Sequence, residues 1–403
     1  MKILLIHNVH ARGGGADVVY LNTGELLKKY GHTVIYFSFK NKKNIGCAQD
    51  KYFVNEPSKF GQLANNFFNW EAAKKIDQLI RKEEPDIAHL HSFWGGLTPA
   101  IGSVLRKHNI PIVHTVHDYN LICPVTTSID RNGNICEACK GKSFYKGVVK
   151  RCFKGSFIKS FVLSTALYYR RKFFDPLKLI DGFIFVSKFA FEKHLQFMPG
   201  LKNSNCLTLH NFNQLTKSTI VTPKRDNYFL FFGRLSREKG IDTLIEAFIG
   251  LKGIKLKIVG TGSEETSLRE LVRNAGASNI EFLGYKSGDE LNRIVSGSSF
   301  TMVPSEWWEN NPMTIIESYC LGVPVIAANV GGIPEIIDEG ETGYLFEMKN
   351  VDQLTKTILK ANSLTIEEYS RMTVQAYKFA TDHFNEQQHL KRLINFYNEI
   401  LNK

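Results

Sequence analysis

The chain repeats one pattern from its first residues: a short apolar run, a turn, and then an amphipathic stretch with helical spacing. The run KILLIHN at 2–8 is followed by a glycine-rich turn and a helical pattern over 17–30, and 33–39 form the next apolar run. Apolar strands that alternate with amphipathic helices form parallel sheets, because the crossover helices cover both faces. The sequence therefore predicts an α/β protein.

The alternation continues through the first half of the chain and restarts near Asn227. The first series contains predicted helices at 71–84 and 98–108 and predicted strands at 87–91, 111–117 and 182–186. The second contains predicted strands at 228–232, 255–259, 280–282, 300–303 and 323–327, and predicted helices at 241–251, 264–275 and 289–296.

The length of 403 residues exceeds one typical core and predicts two domains. We place them at residues 1–212 and 225–384, joined by the polar segment 211–226. The last segment, 385–403, carries apolar residues at helical spacing. We expect it to form a helix that crosses back onto the first domain.

The net charge of +12 favours anionic partners. No apolar run approaches the roughly 20 residues that cross a bilayer, and the opening residues are too short an apolar stretch for a signal peptide. We therefore expect a cytoplasmic protein. The odd number of cysteines, seven, fits reduced thiols better than a disulfide framework.

Much of the positive charge lies between Lys140 and Lys178, where Asp175 is the only acidic residue and aromatic residues alternate with the cations. Such a segment is typical of a peripheral contact with the inner face of the membrane. The alternative is the solvated face of an ordinary helix. Because no nucleic-acid motif accompanies the segment, we expect no nucleic-acid partner.

In the segment PSEWWENNPMTIIE at 304–317, the carboxylates of Glu309 and Glu317 lie on either side of Pro312. Pro suits the first turn of a helix, and Asn310 or Asn311 can cap that helix. The loop and the first helical N–H groups would then attract a phosphate. Since carboxylates disfavour a phosphate, we expect both Glu residues to bind sugar hydroxyls. The alternative is a capped structural helix.

The turn after the first apolar run reads Gly13-Gly14-Gly15-Ala16, which lacks the GxGxxG spacing of dinucleotide-binding proteins. The second predicted strand also ends without an acidic residue to hold an adenine ribose. Two interpretations remain. The glycines let the backbone approach a phosphate or an acceptor closely, or the loop is simply flexible.

Four cysteines lie in one loop-rich stretch: Cys123, Cys136, Cys139 and Cys152. Four thiols around a CxxC core are compatible with a closed tetrahedral zinc site, whose role would be structural. The alternative is a reduced loop without metal. Thioredoxin-like chemistry is not expected, because no CxxC opens a helix after a strand.

Taken in order, the motifs resemble one family, the retaining nucleotide-sugar glycosyltransferases of family 4 (group 1). The segments that carry the resemblance are the Gly13–Gly15 loop, HTVHDYNLICP at 114–124, FGRLSREKG at 232–240, VGTGSEE at 259–265, the two-glutamate segment and GVPVIAANVGGIPEII at 322–337. The resemblance covers essentially the whole chain. It implies the GT-B fold, in which two Rossmann-like domains face each other across a cleft.

The resemblance assigns catalysis to four residues. Arg234 and Lys239 match the family's diphosphate-binding pair, in which a planar donor fork and a point charge replace a metal ion. Glu309 matches the position at the transferred sugar. His117 matches the first-domain position beside the donor sugar. No cofactor is expected for catalysis.

The same motifs imply where the donor binds, with Glu317 at the ribose hydroxyls. The implied donor-binding residues are Gly14, Gly15, Arg234, Lys239, Gly260, Asn310, Asn311, Pro312, Met313 and Glu317. Asp118 is the candidate for contacting the acceptor. The expected reaction moves a hexose-type sugar from a UDP- or GDP-sugar to a hydroxyl group.

The charge pattern makes a lipid-linked acceptor plausible, as in bacterial polysaccharide, O-antigen or cell-envelope glycan synthesis. Two alternatives remain open: a nucleotide-sugar epimerase or hydrolase on the same fold, and a carbohydrate-binding protein without catalysis. The motifs identify neither the sugar nor the base.

Overall fold

The computed structural model describes residues 1–57, 61, 65–213 and 227–402. It divides into two compact units. Unit 1 comprises Met1–Asn132, Cys136–His210 and Gln387–Lys403, and unit 2 comprises Gly133–Ile135 and Asn211–Glu386. The predicted linker at 211–226 lies largely outside the described residues.

Unit 1 is built on a six-stranded parallel sheet with the order β2-β1-β3-β4-β5-β6. Its strands are β1 (Lys2–Ile6), β2 (Thr33–Phe37), β3 (Ile87–Leu90), β4 (Ile112–Val116), β5 (Gly182–Phe185) and β6 (Asn205–Thr208). Its helices are α1 (Gly15–Lys29), α2 (Trp70–Glu83), α3 (Thr98–Lys107), α4 (Tyr145–Val149), α5 (Phe157–Phe173), α6 (Pro176–Leu179) and α7 (Lys188–Phe197). The central strands β1, β3 and β4 are buried along almost their whole length because both faces of the sheet are covered.

The C-terminal helix, Glu386–Leu401, packs on unit 1 through its apolar stripe. The buried Tyr397 hydroxyl lies 2.6 Å from Nδ1 of His89, on β3. Five residues earlier, in the middle of the helix, Arg392 donates a 2.7 Å hydrogen bond to the backbone oxygen of Thr208, on β6. The expected return of the last helix to the first unit is therefore observed.

Unit 2 contains a second six-stranded parallel sheet with the order β12-β11-β10-β7-β8-β9. Its strands are β7 (Tyr228–Phe232), β8 (Lys255–Val259), β9 (Ile280–Gly284), β10 (Phe300–Val303), β11 (Val325–Ala328) and β12 (Gly343–Phe346). Its helices are α8 (Ile241–Ile249), α9 (Glu265–Asn274), α10 (Gly288–Ser296), α11 (Met313–Cys320), α12 (Val351–Asn362) and α13 (Ile366–His383). Two parallel α/β units agree with the predicted fold class.

The predicted cap of the helix after Glu309 was wrong in detail. Pro312 lies at the N-cap position rather than in the first turn, because its ψ of 122° is extended, and α11 begins at Met313. No side chain among the described residues caps this helix. The Asn311 side-chain oxygen instead accepts a 2.7 Å hydrogen bond from the backbone N–H of Asn211.

No helix in the described part of the chain is both long enough and apolar enough to cross a bilayer. The longest apolar helix of the basic segment, α5, contains 17 residues and three cations in its last turn.

Candidate functional site

The first group of predicted site residues lies at the carboxyl ends of central strands in unit 2. Arg234 follows β7, Gly260 follows β8, and the loop 304–312 follows β10, the strand that pairs with β7. In parallel α/β sheets, ligands bind beside these carboxyl ends. Gly260, with a φ of 137°, sits so close to the carbonyl oxygen of Gly233 that a Cβ would collide with it.

Lys239 and Glu309 are 70 residues apart in sequence but form an ion pair. Lys239 Nζ lies 2.6 Å from Glu309 Oε1, and the Ser305 hydroxyl donates a 2.8 Å hydrogen bond to the same oxygen. The Glu309 side chain is only 6% exposed, whereas that of Lys239 is 23% exposed. Both bonds end on Oε1, which leaves Oε2 without a hydrogen-bond partner among the described residues.

Backbone contacts fix the two loops that carry this pair. Gly240 has a φ of 63°, and a Cβ there would collide with the carbonyl oxygen of Pro304. The Glu306 N–H donates a 2.9 Å hydrogen bond to the carbonyl oxygen of Glu238. At position 240, only glycine permits both the close approach to Pro304 and the left-handed backbone. The geometry of the pair is therefore held by the main chain as well as by its charges.

Arg234 projects further into solvent, with a side chain that is 68% exposed. Its guanidinium donates to Glu238 Oε1 at 2.6 Å and to the Ser236 hydroxyl at 3.2 Å. Burial alone would raise the pKa of the Glu238 carboxyl, but hydrogen bonds from Ser236 and the charge of Arg234 bring it below its usual value. An exposed ion pair is weak, so a ligand phosphate can compete for the guanidinium.

The loop before α11 is buried, and residues of the segment 322–337 contact its backbone. Gly332 N–H donates a 2.6 Å hydrogen bond to the Glu309 carbonyl oxygen, and a Cβ on Gly331 would collide with that oxygen. Asn310 and Asn311 are both buried. One buried loop therefore carries Glu309 and leads directly into the start of α11, at Pro312 and Met313.

Glu317 lies on the second turn of α11, as predicted, and is half-buried. Burial raises the pKa of its carboxyl to about 7. No hydrogen bond or ion pair to Glu317 occurs within the described residues. A carboxyl group without a protein partner is available to accept hydrogen bonds from ligand hydroxyls.

The second group of site residues lies at the carboxyl edge of the unit 1 sheet. His7, His91 and His117 immediately follow β1, β3 and β4, which are neighbours in the sheet. His91 Nδ1 lies 2.9 Å from His117 Nε2, and the two rings stack with centroids 5.1 Å apart. Burial, together with neighbouring histidines, holds the pKa of both well below its usual value, so both imidazoles are neutral.

Asp17 connects this edge to the glycine-rich loop. Its Oδ2 accepts a 2.7 Å hydrogen bond from the Gly14 N–H, and its Oδ1 lies 2.7 Å from His7 Nε2. Gly14 is the N-cap of α1 and Gly15 its first residue. Sequence reasoning missed His7, Asp17 and His91. The available signals were an acidic residue three positions after the cap and a polar residue ending each apolar run.

Asp118 and His114 occupy different surroundings from His117. Burial raises the pKa of the Asp118 carboxyl, which accepts hydrogen bonds from the Asn120 N–H at 2.8 Å and from its side-chain amide at 3.0 Å. The buried His114 ring lies 3.0 Å from the carbonyl oxygen of Leu90 through Nδ1. A role for Asp118 at an acceptor remains a prediction.

The four loop cysteines line one pocket in unit 1 and are free thiols. Burial raises the pKa of Cys139 to about 12 and that of Cys152 to about 11, and the neighbouring cysteines add to both shifts. As placed in the described parts of the chain, no group of three or more His, Cys, Asp or Glu side chains could hold a metal ion. The zinc site therefore stays a prediction.

Two protein families and several known proteins are similar to this chain in sequence. The Glycosyltransferase Family 4 model matches residues 13–212, and the Glycosyl transferases group 1 model matches residues 214–379. An uncharacterized glycosyltransferase of Methanocaldococcus jannaschii is 33% identical over 365 residues, which are 89% of this chain and 88% of that protein. An uncharacterized 42.6 kDa protein in the cps region of Klebsiella pneumoniae is 24% identical over 356 residues, 83% of this chain and 87% of that protein.

Among solved structures, HepE of Anabaena in complex with UDP has the same fold. It matches with a TM-score of 0.69 at 15% sequence identity, covering 99% of this chain and 100% of that one. This likeness shows the fold, and the two family models and the Methanocaldococcus relative show the family. The chain belongs to the family 4, group 1 glycosyltransferases and is an enzyme of that class with the GT-B fold.

Proposed function

We propose that the enzyme transfers a hexose-type sugar from a nucleoside diphosphate sugar to a hydroxyl group on a lipid-linked glycan, with retention of the anomeric configuration. The observation that carries this proposal is the Lys239–Glu309 pair at 2.6 Å, whose buried glutamate lies in the loop that leads to α11. The UDP held by HepE supports the donor class. The putative colanic acid biosynthesis glycosyltransferase WcaL of Salmonella typhimurium, 23% identical over 187 residues, supports a role in glycan assembly.

The two cations would stabilise the leaving diphosphate. Negative charge develops on that group as the bond to the sugar breaks, and preorganised charges at such a position are usually the largest catalytic contribution. Lys239 is held in place by Glu309, while Arg234 is exposed and can leave Glu238 for a phosphate. The N–H groups at the start of α11 add a fixed positive dipole.

The carboxylates would bind hydroxyl groups. Glu309 has one oxygen occupied by Lys239 and Ser305, so its other oxygen can accept a hydrogen bond from the transferred sugar. Glu317, which has no protein partner among the described residues, would accept from the ribose. His117, neutral through burial, keeps the role that the family resemblance implies, a contact with the donor sugar.

In the retaining reaction, the acceptor hydroxyl would attack from the same face as the leaving diphosphate. The bond from the anomeric carbon to the phosphate oxygen breaks, and the bond to the acceptor oxygen forms. The proton of the acceptor passes to the departing phosphate oxygen. NMR of the product tests this step, since an inverted anomeric configuration would refute it.

The donor is tested by thermal shift with a panel of UDP- and GDP-sugars. A donor at 100 times its Kd should stabilise the protein by about 2.7 kcal/mol. Arg234→Ala should abolish that shift, whereas Arg273→Ala, which removes an exposed cation on α9, should retain it. Equal loss in both variants, or no shift with any donor, would contradict the site. Isomerised or hydrolysed donor as the main product with acceptor present would favour the epimerase or hydrolase alternative.

A further inference from the structure

Unit 1 exposes an unusual number of large apolar side chains within one short stretch. Seven of them, each between 40% and 75% exposed, lie between residues 145 and 173: Tyr145, Val149, Phe157, Ile158, Phe161, Tyr168 and Phe173. Scattered exposed apolar residues are normal, but a contiguous group indicates a contact with another surface. The proposed chemistry in unit 2 uses none of these residues.

The helix α5 has apolar side chains on its solvent-facing side. Its buried positions include Ser160, Ser164 and Leu167, whereas Phe157, Phe161 and Tyr168 are exposed. The three exposed rings, at i, i+4 and i+11, share one stripe of the helix. An ordinary surface helix has the opposite arrangement, with apolar residues inward and polar residues outward. The outward stripe is therefore available to an apolar medium.

The short helix α4 extends this stripe. The Tyr145 N–H donates a 3.3 Å hydrogen bond to the Tyr168 hydroxyl, and the rings of Phe144 and Tyr168 pack edge to face with centroids 5.0 Å apart. The exposed side chains of Tyr145 and Val149 thus lie beside α5. We call the exposed apolar residues of α4 and α5, with the cations around them, the basic aromatic surface.

The same stretch of sequence carries exposed cations without ion-pair partners among the described residues. The exposed cations are Lys142, Lys150, Arg151, Lys154, Lys159 and Lys172. None of them forms an ion pair with any described residue. Two cations lie near exposed or half-buried rings: Lys172 Nζ is 5.4 Å from the Phe173 ring centroid, and Lys159 Nζ is 5.9 Å from that of Phe153.

We propose that the basic aromatic surface docks the enzyme onto a bilayer that contains anionic phospholipids. Aromatic and aliphatic side chains would enter the headgroup region, while the surrounding cations contact lipid phosphates. A second copy of the chain is a poorer occupant, because two such surfaces would bring twelve like charges together. The inference rests on the proposed function in one respect: docking would bring the enzyme to a lipid-linked acceptor.

The test is sedimentation of the full-length protein with vesicles, in the absence of any sugar donor. One set of vesicles contains phosphatidylcholine alone, and the other also contains about a third phosphatidylglycerol. We expect at least tenfold stronger partitioning to the anionic vesicles, reduced at high salt because surface charges are screened. Ile158→Glu and Phe161→Glu should each lower it at least tenfold.

Two matched substitutions on α13 serve as controls: Ile366→Glu introduces a charge at an exposed apolar position, and Lys378→Glu reverses an exposed cation. Lys154→Glu combined with Lys159→Glu should lower partitioning at least tenfold, while both controls stay within twofold of wild type. Equal binding to both vesicle types, or equal loss in the controls, overturns the proposal, as does a change of oligomeric state in Ile158→Glu with partitioning unchanged.

The outcome is separable from the proposed function. Ile158→Glu and Phe161→Glu should retain wild-type turnover on a short acceptor that lacks a lipid, and an unchanged melting temperature. Loss of turnover on that acceptor would overturn the separation between docking and catalysis. Intact partitioning in a protein without transferase activity would leave the docking surface standing and refute the proposed function alone.

Discussion

Removing the Lys239 charge should destabilise unit 2 by leaving the Glu309 carboxylate buried without its cation. Removal of one partner from a buried ion pair costs about 3–5 kcal/mol. Because the Lys239 side chain is 23% exposed and the Ser305 hydrogen bond remains, we expect Lys239→Met to lie at the lower end of that range. Glu309→Gln should cost about 1.5–3 kcal/mol, the usual loss of a hydrogen bond to a charged group.

The double variant Lys239→Met/Glu309→Gln distinguishes a coupled pair from two independent contacts. Since the unpaired charge is gone, its loss of stability should be smaller than the sum of the single losses by about 1–3 kcal/mol. Urea unfolding followed by tryptophan fluorescence measures this, and Trp307 and Trp308 report from unit 2. Additivity within about 0.5 kcal/mol would refute the coupling.

Two single substitutions elsewhere in unit 2 serve as controls. Lys378→Met and Glu281→Gln change exposed residues of the same types, and each should alter the free energy of unfolding by less than about 0.5 kcal/mol. Glu309→Gln should also lower turnover by about 10² or more, because one well-placed contact to a transition state has that effect. Turnover within a few-fold of wild type would remove Glu309 from the proposed mechanism.

Three further predictions concern other parts of the molecule. The folded-state pKa of Glu317, about 7, lies above its ordinary value of 4.5, so the native state keeps this proton and wild-type stability should fall as the pH rises from 4.5 to 7. Glu317→Gln should flatten this fall, and melting curves at pH 5 and pH 8 that change equally in both proteins would contradict it. Asp17→Asn should lower turnover about tenfold by loosening the Gly14 loop, whereas the exposed Glu25→Gln control should retain wild-type turnover. The zinc prediction is checked by elemental analysis: about one equivalent, lost together with thermal stability in Cys139→Ser, would support it, and less than a tenth of an equivalent would establish a reduced loop.

The strands of unit 2 were the most predictable elements. The predicted and observed bounds coincide for Tyr228–Phe232, Lys255–Val259 and Phe300–Val303. Apolar residues dominate the first and third runs, whereas lysines alternate with apolar residues in the second. All three lie between polar or glycine-containing segments, which is a local signal for a strand. Because residues within the run and beside it decide whether a strand forms, the local sequence is enough to predict these three strands.

The start of α11 was less predictable because its cap depends on a distant residue. Asn311 has the chemistry of a helix cap, but its side-chain oxygen accepts the N–H of Asn211, 100 positions earlier. Pro312 is compatible with both the first turn and the N-cap, and only its extended ψ distinguishes them. Local preference could not choose between these arrangements, because the deciding hydrogen bond is non-local.

The histidines of unit 1 show the same limit. Local spacing placed His91 and His117 at the ends of two predicted strands. It could not show that the two rings are in contact, because that contact depends on the pairing of β3 with β4. Sheet order also brings His7 to this edge, since β1 pairs with β3. The predicted motifs identified single positions, while the sheet topology determined which side chains became partners.

The two sheet edges hold their carboxylates differently. Glu309 is held at Oε1 and has no partner at Oε2 among the described residues, whereas Asp17 uses one oxygen for the Gly14 N–H and the other for His7. A carboxylate gripped at one oxygen keeps a defined direction at the other, which reduces the ordering needed when a hydroxyl binds. If this directionality matters more than charge, Ser305→Ala should lower turnover while the Lys239–Glu309 coupling energy stays intact. Loss of that coupling with turnover unchanged would show that Ser305 acts on stability alone.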